Sequence, residues 1–146
     1  MMYFLGLLEI PPIIPENNIA NDVTRSTEER IVEHIECAQL AGNLAKTFKT
    51  CPSVSVNVSP HGIKILSISD QKVIDRIALH KVIEAFSYND GFGNYNVALL
   101  IQLSRNTQNC YLFQSPVGET ADLLCKNIKE AFSVIENMAQ KTSSNQ

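Results

Sequence analysis

The residue types that most often carry out catalysis or bind metals are sparse in this chain. Its three histidines are His34, His61 and His80, and neither a cysteine nor a carboxylate accompanies any of them at the spacing of a metal site. We interpret them as surface or hydrogen-bonded histidines, because a lone histidine is seldom a ligand. The sequence therefore predicts no metal site and no cofactor.

A second candidate for chemistry is the glycine pair in Asp90-Gly-Phe-Gly93. A loop that holds phosphate needs a third glycine and a following helix, and the pattern provides neither. The segment instead predicts a hairpin turn in which glycine adopts a positive φ. No local signature indicates a serine or cysteine nucleophile. We therefore expect a protein that binds partners and is not an enzyme.

Length and composition indicate one globular domain with a substantial core. The chain has 146 residues and 45% hydrophobic content, which is enough for a single domain. We place that domain at residues 1–142 and a polar tail at 143–146. A charged fraction of 18% and a net charge of −3 argue against nucleic-acid binding, which needs a concentrated basic surface.

The cysteines indicate the compartment. The chain has four cysteines, far apart and without a CxxC pair, and such residues usually behave as small buried hydrophobes. The apolar start, residues 1–10, is short and contains Glu9, so we expect no signal peptide, and no run of residues approaches membrane-spanning length. These features favour a reducing, cytoplasmic location.

Hydrophobic periodicity predicts a strand, a helix, several antiparallel strands and a final helix. Ser26 to Glu29 forms a capping box at the start of the first helix, which we place at about residues 27–46. Ser115 and Pro116 fit the N-cap and first position of the last helix. A change of phase near Ile65 predicts a bulge. The predicted strands are residues 3–10, 54–59, 63–68, 73–74, 82–88, 95–104 and 110–114.

The last helix and the strand at residues 82–88 could together form a groove. An apolar helix face normally packs on its own sheet, but this one is wide enough to serve two neighbours. The strand has apolar residues on both faces, which is typical of a central strand. If it is instead an edge, its free N–H and C=O groups can accept a guest strand. Period two places Val82, Glu84, Phe86 and Tyr88 on one face of it, and Ile83, Ala85 and Ser87 on the other.

Several segments, in this order, resemble the phosphotyrosine-binding (PTB) domain family. Each segment is a loose match alone, but their order and spacing extend through nearly the whole chain. The segments are Tyr3-Phe-Leu-Gly6, Ile35-Glu-Cys-Ala-Gln39, Val58-Ser-Pro-His-Gly-Ile-Lys-Ile65, Ala78-Leu-His80, Tyr88-Asn-Asp-Gly-Phe-Gly93, Cys125-Lys126 and Ala131-Phe132.

The resemblance implies an α+β, pleckstrin-homology-like fold. Two near-orthogonal antiparallel sheets would be capped by the C-terminal helix, with an extra helix after the first strand. It also implies an adaptor that binds Asn-Pro-x-Tyr/Phe (NPxY/F) motifs by adding the peptide as a strand between residues 82–88 and the last helix. The implied peptide-binding residues are Val82, Ile83, Glu84, Ala85, Phe86, Tyr88, Ile128, Ala131, Phe132 and Ile135.

The partners implied by the resemblance are an integrin β cytoplasmic tail and a scaffold protein that carries the motif. Through such a partner the domain would act near the membrane, at adhesion sites, or would shuttle to the nucleus. In the family member that the chain resembles most, acidic residues of the first helix meet a basic stretch of the scaffold. Glu36 matches one of them, Arg30 stands where a second acid is expected, and Glu29 and Glu33 are the acids that could substitute.

The arginines of the sequence bear on whether the bound motif must be phosphorylated. The sequence shows no cluster of arginines of the kind that a phosphotyrosine pocket requires, so we expect binding that does not depend on phosphorylation.

Two other functions are compatible with this fold. One is a phosphoinositide-binding module, which would need basic residues gathered at one sheet mouth, and the other is a structural assembly domain in which the strand at residues 82–88 pairs with a second copy.

Overall fold

The computed structural model describes residues 1–11 and 26–144, with side chains described up to residue 138. The predicted loop at residues 17–24 lies outside the described residues. Seven strands and two α-helices follow one another in the order β1, α1, β2 to β7, α2. They are β1 Met2–Ile10, α1 Thr27–Leu40, β2 Ser53–Ser59, β3 Gly62–Ser67, β4 Val73–Ile77, β5 Val82–Asn89, β6 Tyr95–Ser104, β7 Thr107–Ser115 and α2 Gly118–Ser144.

The strands form one antiparallel sheet in the order β4-β3-β2-β1-β7-β6-β5. β1 pairs with β7 from Tyr3 to Ile10. It meets β2 only through Met2↔Val54 and Tyr3↔Ser53. This short junction divides the sheet into a three-stranded arm, β2 to β4, and a four-stranded arm, β1 with β5 to β7. The two predicted sheets are these arms, and β4 and β5 are the edge strands.

α2 packs on the inner face that the two arms share. Residues from every strand and from α2 contribute to this inner core, because alternate positions of each strand face inward. Phe132 and Ile135 of α2 are partly buried at its margin. The buried members include Val54, Ile63, Ile65, Ile77, Val82, Val97, Leu99, Ile101, Phe113, Ala121, Leu124, Ile128 and Ala131.

α1 covers the outer face of the four-stranded arm. Ile31, Ile35 and Ala38 lie at helical spacing and are buried against the sheet. The alternate residues of the same strands complete this outer core, namely Leu5, Ile10, Phe86, Ala98, Leu100, Cys110 and Leu112. The four-stranded arm is therefore buried on both faces, which explains why its strands read as nearly continuous apolar runs.

The predicted start of α1 is confirmed, but its predicted end is wrong. The Ser26 hydroxyl accepts a hydrogen bond from the Glu29 N–H at 3.1 Å. The helix ends at Leu40 and not near residue 46, because Gly42 adopts a φ of +81° that takes the chain out of the helix. The following Leu44 is buried in the outer core.

The predicted N-cap of α2 is also wrong. Ser115 pairs with Tyr95 in the ladder between β6 and β7, so its backbone belongs to the sheet and cannot open a helix. Its hydroxyl instead accepts the Val117 N–H at 3.1 Å, and α2 begins at Gly118. The helix extends to Ser144, two residues beyond the domain boundary predicted from composition.

Most predicted strands agree with the structure. The predicted bulge is confirmed, because the register between β3 and β4 shifts between Ile65 and Leu66. β6 has its predicted bounds, whereas β4 and β7 are longer than predicted, since pairing with neighbouring strands extends them beyond the residues whose composition indicates a strand.

In the part of the chain that the structure describes, neither helix is long and apolar enough to span a membrane.

We predict that the turn between β2 and β3 tolerates no side chain at Gly62. Gly62 has a φ of +136°, and a Cβ there would lie 2.6 Å from the backbone oxygen of Ile77. Gly62→Ala should lower the free energy of unfolding by on the order of 3 kcal/mol, since backbone strain and a clash add together. Gly42→Ala is the matched control: Gly42 also has a positive φ, but its Cβ would meet nothing within 4 Å, so about 1–2 kcal/mol is expected. Urea unfolding of both variants measures the difference, and equal losses would contradict the role of the clash.

Candidate functional site

β5 is an open edge of the four-stranded arm. It pairs with β6 on one side, and no other strand among the described residues pairs with it on the other. Every second N–H and C=O along that side therefore points away from the sheet. Ile83 is the exposed apolar residue of this edge, with 46% of its surface accessible.

A bulge at Ile83 changes which residues share a face. Val82 lies opposite Ile101 and Glu84 lies opposite Leu100, so Ile83 is an extra residue without a partner on β6. The strict alternation predicted for residues 82–88 is therefore wrong at its start.

Because of the bulge, residues 82 and 85 share a face although they are three positions apart, and alternate residues share a face only from residue 84 onward. Val82 and Ala85 pack on the inner core beneath α2. Phe86 and Tyr88 pack on the outer core beneath α1. The bulge thus leaves Ile83 at the rim of the edge, between the two helices.

A groove of about 740 Å³ lies between β5 and α2. Ile83, Ala85 and Phe86 line its strand side, and Ile128 and Phe132 line its helix side. The predicted peptide-binding residues of β5 and α2 are thus largely brought together. The predicted residues differ in solvent exposure, because the centre of an apolar helix face is buried in the core and only its margin is accessible.

The predicted residues of α2 fall into two groups. Ile128 and Ala131 are 2% and 6% exposed, so they support the groove from the core. Phe132 and Ile135 are partly buried and lie at the accessible margin, although only Phe132 lines the groove itself. Of the partly buried residues at this margin, Phe132 is therefore the one that lines the groove.

The groove also contains polar residues that the sequence pattern did not single out. The Ser87 hydroxyl donates a hydrogen bond to Asp122 Oδ1 at 3.1 Å and ties β5 to the first turns of α2. Lys126 and Glu130 form an exposed ion pair at 4.0 Å. The first contact joins residues 35 positions apart, so no local motif predicts it, whereas the second has the i, i+4 spacing of a helical ion pair.

The acids predicted on the first helix line a second depression beside β5. This depression, of about 730 Å³, lies between α1 and residues 86–89. Glu29, Glu33 and Glu36 all line it, and Val32 lies among them. The three acids lie at spacings of three and four residues, so they share one face of α1.

Glu84 has the most perturbed carboxyl group of the site. The pKa of Glu84 is raised to about 7, chiefly by burial and then by a hydrogen bond to Glu28 and the charge of Glu28, while Lys129 opposes the shift. Glu28 lies in the first turn of α1 and Lys129 on α2, so both helices reach over the edge of β5. Two carboxyl groups in contact share a proton readily, because two adjacent negative charges repel.

Burial also perturbs two of the cysteine thiols. Burial raises the pKa of the Cys125 thiol, which lines the groove, and raises the pKa of Cys110 to about 12. Thiols shifted in this direction stay protonated at neutral pH and are poor nucleophiles. Cys110 and Cys125 are buried core residues, as predicted, whereas the prediction is wrong for Cys37, which is exposed, and Cys51 is only partly buried.

Comparison with known proteins agrees with this architecture. The family model described as Beta-1 integrin binding protein matches residues 17–141. Among solved structures, the chain is similar to the C-terminal phosphotyrosine interaction domain of APBB2 from mouse, with a TM-score of 0.60, covering 90% of this chain and 82% of that one. The two sequences are 14% identical, so this likeness concerns the fold alone. No curated protein matches the chain.

The comparisons confirm the resemblance drawn from the sequence. The fold is that of a PTB domain, with the sheet, the C-terminal helix and the helix after the first strand in the expected places. A narrower resemblance drawn from the sequence, to the integrin cytoplasmic-domain-associated protein, rests on the segments Ile35–Gln39, Tyr88–Gly93, Cys125-Lys126 and Ala131-Phe132. The family model agrees with that narrower likeness.

We predict that Glu84 makes folding stability depend on pH. Its pKa is about 7 in the folded protein and 4.5 in the unfolded chain, so between these values the folded state binds more protons. Stability should therefore fall as the pH rises through this window. Glu84→Gln should remove that fall and stabilise the protein at pH 8 by on the order of 1 kcal/mol, after allowance for solvent screening.

Thermal unfolding from pH 4 to pH 8 measures this effect. Glu130→Gln is the matched control, because this carboxylate lies in the same groove but is 64% exposed, and it should leave the pH dependence unchanged. If Glu84→Gln also leaves it unchanged, the coupling between Glu84 and Glu28 does not exist in solution.

Proposed function

The chain belongs to the Beta-1 integrin binding protein family, and from that premise we propose that its PTB domain captures NPxY/F tails by β-strand addition at β5. Its general role is that of a protein-interaction adaptor, as the family and the fold indicate. The proposed partners are an integrin β cytoplasmic tail and a scaffold protein with the same motif. Because such tails lie in the cytoplasm, we also propose a cytoplasmic location near the membrane, at adhesion sites or in exchange with the nucleus.

The observation that carries the proposal is the open edge of β5 with a groove along it. A guest strand gains backbone hydrogen bonds from the edge and side-chain contacts from the adjoining helix. Here the edge displays Ile83, and the helix displays Phe132 across the groove. Apolar side chains of the guest would be covered by these two residues, while Ile128 and Ala131 keep the floor rigid.

The charges of the groove support binding that is independent of phosphorylation. Four carboxylates line the groove, those of Glu28, Glu84, Asp122 and Glu130, against two lysines, Lys126 and Lys129. No arginine is among its described lining residues. A phosphate carries up to two negative charges and is bound best by arginine forks. An unmodified Tyr or Phe therefore suits this groove better than a phosphotyrosine.

The acidic face of α1 suggests a second contact with the same partner. Glu29, Glu33 and Glu36 line the depression that runs beside β5. A basic stretch next to the motif of a scaffold protein would meet these acids as the motif occupies the edge. Arg30 stands next to them but is partly buried, so its charge weakens the acidic face less than an exposed arginine would.

We predict that Ile83→Arg abolishes binding of an integrin β tail peptide. A charge at the exposed rim of the edge removes an apolar contact and opposes burial by the guest. The wild-type Kd should lie near the micromolar range, about −8 kcal/mol, and the variant should bind at least about tenfold more weakly. Isothermal titration with the peptide, with and without phosphate on its tyrosine, measures both values.

Ile74→Arg provides the matched control on the opposite edge strand. Ile74 is 40% exposed on β4, against 46% for Ile83 on β5, so the two substitutions perturb similar surfaces. The control should bind as the wild type does, and both variants should unfold at similar temperatures. Absence of binding by the wild type, to this peptide and to a scaffold peptide, would refute the proposal.

We predict that the acidic face of α1 strengthens binding of motifs that carry a basic stretch. Glu29→Lys with Glu36→Lys should weaken such a peptide by roughly three- to tenfold, mainly through slower association, because exposed charges act by steering. The loss should shrink as salt increases. Stopped-flow association rates measured at two salt concentrations test both expectations.

The control for this experiment carries the same change of charge elsewhere. Glu9 and Glu119 are exposed on β1 and at the start of α2, and replacing both with lysine alters net charge equally. If that pair weakens binding as much as the substitutions on α1, overall charge and not the acidic face is responsible.

A further inference from the structure

The groove between β5 and α2 has one polar end. Ser87 of β5 and Asp122 of α2 line it there, whereas Ile83 and Phe132 line the part assigned above to apolar side chains. About 15 Å of helix separates Asp122 from Phe132. The Ser87–Asp122 pair is therefore a contact area distinct from the apolar one.

The pairing of β5 with β6 directs Ser87 towards α2. Ser87 lies opposite Val97 and Ala85 lies opposite Leu99, and both of these β6 residues belong to the inner core beneath α2. Directly opposite residues of an antiparallel pair share a face, so Ser87 and Ala85 also face α2. Phe86, which lies between them, packs on the outer core beneath α1.

Asp122 keeps one carboxylate oxygen available to a guest. Its Oδ1 accepts the Ser87 hydroxyl at 3.1 Å. None of the described residues donates a hydrogen bond to its Oδ2. Lys126, one helical turn away, pairs instead with Glu130 at 4.0 Å. Ser87 thus holds the carboxylate beside the edge of β5 and leaves a second acceptor open.

A guest strand changes the surroundings of Asp122. In the free protein Asp122 is exposed, so water solvates its carboxylate. A strand added to β5 would cover the groove and displace that water, and an acceptor left without a donor opposes binding. A guest side chain that donates to Oδ2 removes this cost. The groove should therefore discriminate against a guest residue that lacks a donor at this point.

The register of the guest identifies the residue concerned. Every pairing in the sheet is antiparallel, so a guest that continues the sheet runs antiparallel to β5. The guest residue directly opposite Ser87 shares its face, with the two Cβ atoms about 5 Å apart. It precedes by two positions the guest residue opposite Ala85. At this distance a short side chain with a hydroxyl reaches the Ser87–Asp122 pair, and threonine is also favoured in strands.

We propose that the Ser87–Asp122 pair selects a threonine or serine at the guest position opposite Ser87, through a hydrogen bond from the guest hydroxyl to Asp122 Oδ2. The inference rests on the proposed function, since the guest is the same one. Phosphorylation of that hydroxyl would place up to two negative charges beside Asp122, in a groove lined by more carboxylates than lysines. The pair therefore makes binding sensitive to modification of the guest hydroxyl, while the state of the guest tyrosine has no such effect.

Three synthetic peptides test this selection. Each contains the NPxY motif of an integrin β tail with its upstream residues, and nuclear Overhauser contacts to the Ser87 backbone first identify the guest residue opposite Ser87. That residue is threonine in the first peptide, valine in the second and phosphothreonine in the third. Valine has nearly the shape of threonine but no hydroxyl. Wild-type protein should bind the threonine peptide roughly tenfold more tightly than the valine peptide, and the phosphothreonine peptide more weakly than both.

Asp122→Ala should remove the selection. This variant should bind the threonine and valine peptides equally, and the valine peptide at least as tightly as the wild type does, because no carboxylate is then left without a donor. A purely structural role of Asp122 predicts a different result, namely weaker binding of both peptides by the same factor. Glu130→Ala is the matched control, because its carboxylate lies in the same groove and is 64% exposed, and it should keep the tenfold preference.

The outcomes separate the two proposals. If wild-type protein binds the threonine and valine peptides equally, the selection is refuted and β-strand addition stands. If Asp122→Ala keeps the preference for threonine, or weakens both peptides by the same factor, Asp122 does not read the hydroxyl, and the selection is again refuted. Tighter binding of the phosphothreonine peptide would assign the position to the lysines of the groove instead of Asp122. If no peptide binds, both proposals fail.

Discussion

The rest of the structure depends on the pairing of β1 in the middle of the sheet. β1 runs along β7 for most of its length and reaches β2 only at Met2 and Tyr3. This geometry lets the two arms diverge while the backbone stays continuous, so that both can close over α2. Its alternate residues enter both cores, with Met2 in the inner one and Leu5 and Ile10 in the outer one. The order of strands that follows from it makes β5 an edge.

Local sequence patterns predicted strands and helices correctly where burial of one face determines the structure. The alternation in β2 and the apolar stripe of α2 each indicate one buried face, and both patterns depend only on residues that are close together in the chain. Ser115 shows where such reasoning fails. Followed by proline, it has the composition of an N-cap, yet its pairing with Tyr95 keeps it in the sheet, because tertiary contacts override a preference worth about 1 kcal/mol.

The candidate site could be predicted only in part from the sequence, because it also depends on tertiary contacts. Residues 82–88 are apolar on both faces, so the pattern fitted a central strand as well as an edge. The strand is buried on both faces by two helices and open only along its backbone, and composition does not record which backbone groups are paired. The bulge at Ile83 and the contact between Glu84 and Glu28 arise from the pairing with β6 and the position of α1. The resemblance to PTB domains identified the edge, and the structure supplied these details.

An open apolar edge invites pairing with other copies of the chain, and two features of β5 work against that. The bulge interrupts the regular ladder of N–H and C=O groups that a second copy would need. Glu84 and Glu28 lie together beside the edge, so two copies meeting there would bring four carboxyl groups into one dry interface. A guest tail with neutral or basic side chains meets no such repulsion. The charges beside β5 therefore leave the edge accessible to a partner of different sequence and make pairing of two identical edges costly.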